Sequence, residues 1–173
     1  IIIIIIHMTI KNNQILQTSL KIESKYLSKN INDIILQKLK EKYEGKCSEH
    51  GFILKGTTKL INRKLGNIVT INNSSFINYI VNYNADILYP TEGDELSISV
   101  DRVNKMGVLG YIKFKESDDF EKSPLIIIIP NEYFTEGKRD INSITKGQKL
   151  TVKILGCRIK FGHEKIQIVA EPV

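Results

Sequence analysis

The residues best suited to catalysis or metal binding are three histidines, two cysteines and an acidic cluster at Asp118, Asp119 and Glu121. Carboxylates on one loop are typical ligands of a hard cation, but this cluster lacks the spacing and the central glycine of a calcium loop. Cys47 and Cys157 are too few for a structural zinc site, which needs about four ligands. No serine or cysteine stands with a histidine and an acid in a triad arrangement. We therefore predict no active site, no metal site and no cofactor.

A second set of side chains combines cations with aromatic rings, the groups that hold single-stranded nucleic acid by charge and stacking. Tyr111 and Lys113 are expected on one face of a strand, opposite Ile112. The alternative is that Tyr111 and Phe114 cover the core, and that the lysines are ordinary surface. The predicted RNA-binding residues are Arg102, Lys105, Tyr111, Lys113, Lys115, Arg158, Lys160 and Lys165.

A third stretch, residues 62–68, is basic and contains apolar residues beside a glycine. Apolar side chains on a basic loop indicate a surface that docks on another protein. The alternative is that Leu65 and Ile68 fold back onto the sheet. We call residues 62–68 the docking segment, and its predicted contact residues are Asn62, Arg63, Lys64, Leu65, Gly66, Asn67 and Ile68.

The elements that must carry these residues form an α+β arrangement of one helix on a sheet in the chain before Pro90. Asn30 is expected to cap the helix with its side chain, and Gly45 is expected to end it. The docking segment is expected to be a loop. The helix is predicted from apolar residues at helical spacing, Ile31, Ile34, Ile35 and Leu39. Strands are predicted over residues 10–22, near 47–60, and over 68–71, 76–81 and 85–88, with a turn at 72–75.

After Pro90 the pattern changes to short alternating strands and predicts a five-stranded barrel. Strands are expected near residues 96–100, 108–112 and 124–130, followed by a hairpin over residues 147–168. A glycine turn between the first two strands, residues 104–107, is typical of an OB-fold β-barrel, which binds ligands along its second and third strands. We predict two domains, residues 8–90 and 91–173.

The composition is that of a soluble globular protein: 173 residues, 42% hydrophobic and 25% charged, with a net charge of +6. A mildly basic chain suits nucleic acid or an acidic partner. No apolar run approaches the roughly 20 residues of a membrane span, and two distant cysteines suit a reducing, intracellular compartment. Residues 1–7, an isoleucine run ending at His7, are interpreted as a cloning-derived tag before Met8.

Several stretches, taken in order, resemble the larger stalk subunit of multisubunit RNA polymerases, the family of the seventh subunit of polymerase II and its archaeal counterpart. The resemblance runs from about Thr18 to Glu171. It rests on the helix followed by Gly45-Lys46-Cys47 and Gly51-Phe52-Ile53, on residues 57–69, and on residues 76–96 with Pro90-Thr91-Glu92-Gly93. The stretches V-N-K-M-G-V-L and K-G-Q-K-L-T-V-K-I-L-G-C-R-I complete it in the barrel.

The resemblance implies a non-catalytic subunit whose first domain is a tip that docks on the polymerase core. It implies a heterodimer with a smaller, helical stalk subunit, and an OB-fold domain that contacts nascent single-stranded RNA. In that family the docking segment corresponds to the tip loop, and the surface near Lys105, Tyr111 and Lys113 faces RNA. The implied location is the nucleus, or the cytoplasm or virion if the isoleucine-, asparagine- and lysine-rich chain comes from a large DNA virus.

Two alternatives stay open. A free-standing OB-fold RNA-binding protein of translation or RNA processing would bind RNA tightly without a large partner. An enzyme that uses the acidic loop and a metal ion would lose its activity when Asp118 or Asp119 is replaced by alanine.

Overall fold

The structure, a computed structural model, describes residues 10–27, 30–114, 117–134 and 141–173. One α-helix, α1, spans Ile31–Tyr43. Short 3₁₀ helices span Ser24–Tyr26, Asn131–Phe134 and Ile141–Ser143. The strands are β1 (Lys11–Glu23), β2 (Cys47–Ser48), β3 (Gly51–Ile53), β4 (Lys59–Arg63), β5 (Asn67–Ile71), β6 (Ser74–Leu88), β7 (Glu95–Asn104), β8 (Gly107–Tyr111), β9 (Leu125–Pro130), β10 (Lys149–Arg158) and β11 (Ile166–Pro172).

Helix α1 packs through the predicted apolar stripe, because Ile35 and Leu39 are fully buried and Ile31 and Ile34 pack against the same core. Its end is also as predicted, with Gly45 at φ +73°, a conformation that glycine adopts without strain. The predicted side-chain cap is wrong. Asn30 makes no side-chain cap hydrogen bond, and its backbone carbonyl instead accepts the N–H groups of Asp33 and Ile34.

The first sheet has six strands in the order β1-β6-β3-β2, and β4 and β5 also pair with β6. Strand β6 is long enough to hold β4 and β5 one after the other, both antiparallel to it. Most of the predicted loop at the docking segment is therefore strand. The prediction failed because residues 59–63 show no period-two alternation, as expected for a short edge strand with bulges.

The second sheet closes into a five-stranded barrel in the order β10-β11-β9-β8-β7. All its neighbours are antiparallel except β9 and β11, which run parallel. The interior is filled by inward-facing branched aliphatic residues, among them Ile98, Val152 and Ile168. The closed five-strand order is consistent with the predicted OB fold.

The chain divides into two compact units. One contains residues 10–12, Lys46–Phe52 and Leu88–Val173, and the other contains Asn13–Gly45 and Ile53–Ile87. The barrel unit thus includes the β2 hairpin, whose Cys47 exchanges backbone hydrogen bonds with Gly162 and His163 at 2.8 and 2.7 Å. These bonds fix the turn between β10 and β11.

Candidate docking edge and nucleic-acid interface

The docking segment spans the junction between β4 and β5. Asn62 and Arg63 end β4, Asn67 and Ile68 begin β5, and Lys64, Leu65 and Gly66 connect them. Arg63 pairs with Val81 and Asn67 with Asn78 on β6, so the docking segment contains one residue more than the strand opposite it. This is the geometry of a β-bulge, which interrupts the ladder at the connecting residues.

Leu65 and Ile68 are the apolar side chains that the junction exposes. Leu65 is 92% exposed and Ile68 is 76% exposed. The alternative that both fold back onto the sheet is therefore wrong. The junction thus presents two large aliphatic side chains beside the cation Lys64.

Gly66 explains why the junction lies flat enough to present Leu65. A Cβ at Gly66 would stand 2.2 Å from Ile77 Cγ2 and 2.9 Å from Tyr79 Cε1. Such distances are far inside van der Waals contact, so a residue with a side chain would force the connection to shift. The glycine is therefore required by close approach.

Two polar residues, Asn62 and Arg63, hold the first end of the docking segment in place. Arg63 donates from Nε to Asn32 Oδ1 at 2.8 Å, and its guanidinium lies 5.2 Å from the centroid of the Tyr79 ring. Asn62 Oδ1 accepts the side-chain amide of Asn82 at 2.8 Å. Asn62 thus contacts the sheet and Arg63 contacts both α1 and the sheet, whereas Lys64 and Leu65 are exposed.

On the barrel, three of the predicted cations meet at the predicted Tyr111 and at Phe120, which the sequence did not single out. Tyr111 of β8 lies edge-to-face with Phe120, with ring centroids 6.2 Å apart. Lys165 Nζ lies 5.0 Å and the Arg102 guanidinium 6.0 Å from the centroid of Phe120. Lys113 Nζ lies 5.8 Å from the centroid of Tyr111. We call these five residues the aromatic–cation cluster.

Local backbone geometry places Arg102 in this cluster. The pairing of β7 with β8 shifts register between Val100 and Arg102, so Asp101 is the extra residue of a bulge. Bulges redirect the side chains next to them. Arg102 is 64% exposed and pairs with the mostly buried carboxylate of Asp101 at 3.1 Å, and Lys146 also approaches this carboxylate, at 3.7 Å.

Strand alternation places Tyr111 and Lys113 on the outer face, as predicted. Ile112 between them is 1% exposed and points into the barrel. Tyr111 therefore presents its ring on the outside of β8, and the idea that it caps the core is wrong. Ring faces and cations in one patch provide the two contacts that a single strand of nucleic acid needs.

The other predicted RNA-binding residues lie elsewhere on the barrel unit. Lys105 is exposed in the turn between β7 and β8, next to Met106, which is 85% exposed. Arg158 and Lys160 are exposed at the far end of β10 and in the turn that follows, beside Phe161, which is 76% exposed. These two turns join the first and second, and the fourth and fifth, strands of the barrel. Lys115 lies outside the described residues.

The acidic loop is used for turn structure. Asp118 accepts the backbone N–H of Phe114 at 3.0 Å, and Asp119 accepts that of Lys122 at 2.9 Å. The hydrogen bond from Lys122 lowers the pKa of Asp119 below its ordinary value. Within the described ranges, no three histidine, cysteine, aspartate or glutamate side chains are grouped so that they could hold a metal ion.

Both cysteines are free thiols. Burial raises the pKa of Cys47, and it also raises the pKa of Cys157. A raised pKa reduces the thiolate fraction at neutral pH and with it the nucleophilicity of the sulfur. Neither thiol therefore has the activated character of a catalytic cysteine.

Comparison with known proteins identifies the N-terminal part of the chain. Residues 18–79 match the family profile described as the SHS2 domain found in the N terminus of Rpb7p/Rpc25p/MJ0397. The chain is also 26% identical over 156 residues to DNA-directed RNA polymerase II subunit RPB7 of Glycine max, an alignment that covers 84% of this chain and 83% of the relative.

The predicted resemblance to the Rpb7 family of stalk subunits is confirmed. The SHS2 match contains the whole docking segment. The alignment with the Glycine max protein covers far more of the chain than the SHS2 domain and therefore extends into the barrel. Among the described residues of this Rpb7-like chain, no helix has the length and apolar character of a membrane span.

Proposed function

We propose that this chain is the larger stalk subunit of a nuclear DNA-directed RNA polymerase and has no active site of its own. It docks on the polymerase core through the docking segment and contacts nascent RNA through an OB-fold barrel. A smaller, helical subunit completes the stalk as a heterodimer. The observation that carries the proposal is the similarity to RPB7 along most of the chain, combined with an exposed apolar bulge inside the SHS2 match.

The docking role is supported by the exposure and the fixed geometry of the bulge. Burying a leucine side chain on association contributes about 1.5–3 kcal/mol, and Leu65 offers nearly all of its surface for that purpose. Gly66 and the hydrogen bonds of Asn62 and Arg63 constrain the backbone on either side of Leu65 before binding. A backbone that is already constrained loses less conformational entropy when the segment binds.

The RNA role is supported by the aromatic–cation cluster. OB-fold barrels bind single strands across the second and third strands and the adjoining turns. Tyr111 lies on the second strand of this barrel, and Lys105, Arg158 and Lys160 lie in or beside the adjoining turns. Met106 and the partly buried Leu109 supply no ring for stacking in this region, so charge is expected to contribute most of the RNA affinity.

Docking is tested by reconstitution with RNA polymerase core purified without its stalk. Leu65→Asp is expected to weaken binding of the full chain at least tenfold, because a carboxylate replaces the side chain buried at the interface. Met106→Asp is the matched control, since Met106 is 85% exposed but lies on the barrel. Equal binding of wild type and Leu65→Asp would overturn the docking role. Tight RNA binding by a chain that never binds core would favour the free-standing RNA-binding protein.

RNA contact is tested by fluorescence anisotropy with a single-stranded RNA across a range of salt concentrations. For single strands, each phosphate contact contributes about 0.7 to the slope of log affinity against log salt. Arg102→Gln and Lys165→Gln are each expected to reduce the slope by roughly that amount. Leu65→Asp serves here as the control with unchanged RNA affinity. Unchanged slopes in both barrel variants would exclude the cluster as the RNA contact.

A further inference from the structure

The turn between β5 and β6 determines where the backbone groups of β5 point. Asn72 and Asn73 form this two-residue turn with φ of 47° and 61°, and Ile71 and Ser74 flank it. Residues that flank such a turn exchange both of their backbone hydrogen bonds, and bonded pairs then alternate along the ladder. Asn67, Val69 and Ile71 therefore bond to β6, whereas Ile68 and Thr70 direct their N–H and C=O groups to the opposite edge.

That opposite edge has no neighbour in the described part of the chain, where β5 pairs with β6 alone. Exposed strand edges attract further strands, and soluble proteins usually protect them with inward-pointing charges, prolines or a covering element. Residues 67–71 contain no charge and no proline. Ile68 and Thr70, whose backbone groups point to this edge, are both exposed residues.

The electrostatics of the β4–β5 edge favour an acidic partner. Residues 59–71 include Lys59, Arg63 and Lys64 but no aspartate or glutamate. Lys59 and Lys64 are exposed. Next to them the edge offers the exposed apolar side chains of Leu65, Ile68 and Ile71.

We propose that β5 accepts an added strand from a partner protein. This added strand is an extended segment in which carboxylate side chains alternate with apolar ones. Its backbone bonds to the N–H and C=O groups of Ile68 and Thr70, its apolar residues cover Ile68 and Leu65, and its carboxylates face Lys64 and Lys59. Backbone bonds supply affinity in this mode of recognition and side chains supply specificity. The proposal rests on the docking role given above and assigns its binding mode.

Replacing Thr70 with proline isolates the contribution of a backbone hydrogen bond to partner binding. Thr70→Pro removes the N–H that points away from β6 and leaves the β5–β6 ladder intact, which is the position where edge strands tolerate proline. Thr70→Val keeps the N–H and the branched shape. With stalk-free polymerase core as the probe, Thr70→Pro is expected to weaken binding about tenfold because a carbonyl of the added strand is left without a donor. Thr70→Val is expected to bind within about twofold of wild type.

Amide hydrogen exchange of the wild-type chain gives a second readout that does not depend on a variant folding. The amides of Ile68 and Thr70 are expected to exchange quickly in the free protein, and strand addition should protect both in the complex with core. Wild-type binding by folded Thr70→Pro, or unprotected Ile68 and Thr70 amides in the bound chain, would overturn strand addition. If strand addition is overturned but Leu65→Asp abolishes binding to core, the docking role of the segment still holds. If Leu65→Asp binds normally, the docking role fails instead.

Discussion

Lys165 and Phe120 are joined twice, although they lie 45 residues apart in the sequence. The Lys165 ammonium donates to the Phe120 carbonyl at 2.9 Å, and it lies 5.0 Å from the centroid of the same ring. A cation over a ring face is an energetically favourable contact on top of the hydrogen bond. Lys165 thereby fixes the turn that carries Phe120 beside Tyr111 and completes the aromatic–cation cluster.

Phe120→Leu is expected to weaken single-stranded RNA binding about fivefold or more. The substitution keeps an apolar side chain but removes the ring that meets Tyr111 and two cations, and base stacking on a ring contributes roughly 1–3 kcal/mol. Since Arg102 and Lys165 remain, the salt dependence of affinity should not change. Anisotropy titrations at several salt concentrations measure both quantities.

Two results would contradict this role of Phe120. Wild-type affinity would show that its ring makes no contact with RNA. A reduced salt slope would show that the ring acts by positioning Arg102 and Lys165 and does not stack on bases.

The position of Phe120 in the aromatic–cation cluster could not be predicted from the sequence. It stands between acidic residues, and local composition there indicates only a solvated loop. Its position beside Tyr111 depends on Lys165, which precedes β11, and on the parallel pairing of β11 with β9. Such long-range contacts leave no periodic signal in one sequence. The stripe of Ile35 and Leu39 was predictable because helical spacing is local.

The structure of the docking segment was predictable only in part. The basic neighbours of Leu65 favoured its exposure, and the strand after it, β5, was predicted over residues 68–71, whereas most of β4 was not predicted. Edge strands with bulges bury neither face fully, so their residues need not alternate. The side chain of Asn30 failed as a cap although its residue type is favoured, because the backbone carbonyl took the helical N–H groups instead.

Glu44→Gln is expected to destabilise the protein by about 1 kcal/mol at neutral pH. The Glu44 carboxylate accepts the N–H groups of Gly56 at 2.9 Å and Thr58 at 3.1 Å, which ties the turn before β4 to the end of α1. Burial works to raise the pKa of Glu44, but hydrogen bonds from Gly56 and Thr58 outweigh it and the pKa is lowered. Glutamine keeps an acceptor oxygen but loses the charge.

The pH dependence follows from the direction of that shift. A carboxyl group with a lowered folded-state pKa contributes its full stability above its unfolded pKa of about 4.3, and loses it as the pH falls through the folded value. The difference between wild type and Glu44→Gln in urea unfolding should therefore be constant from about pH 6 to 7 and shrink in more acidic solution. A difference that stays the same down to about pH 3, below the usual carboxyl range, would show that the charge of Glu44 contributes nothing.

Gly66→Ala is expected to lower the free energy of unfolding by about 1–3 kcal/mol and to weaken docking on polymerase core. The new methyl group would overlap Ile77 Cγ2 and crowd the Tyr79 ring, so the bulge must move away from the sheet. Gly156→Ala is the control, because a Cβ at Gly156 meets nothing within 4 Å. That variant should change stability by less than about 0.5 kcal/mol. Urea unfolding measures the stability of both variants, and titrations with polymerase core measure their docking. If Gly66→Ala lost docking without losing stability, Gly66 would contact the partner directly.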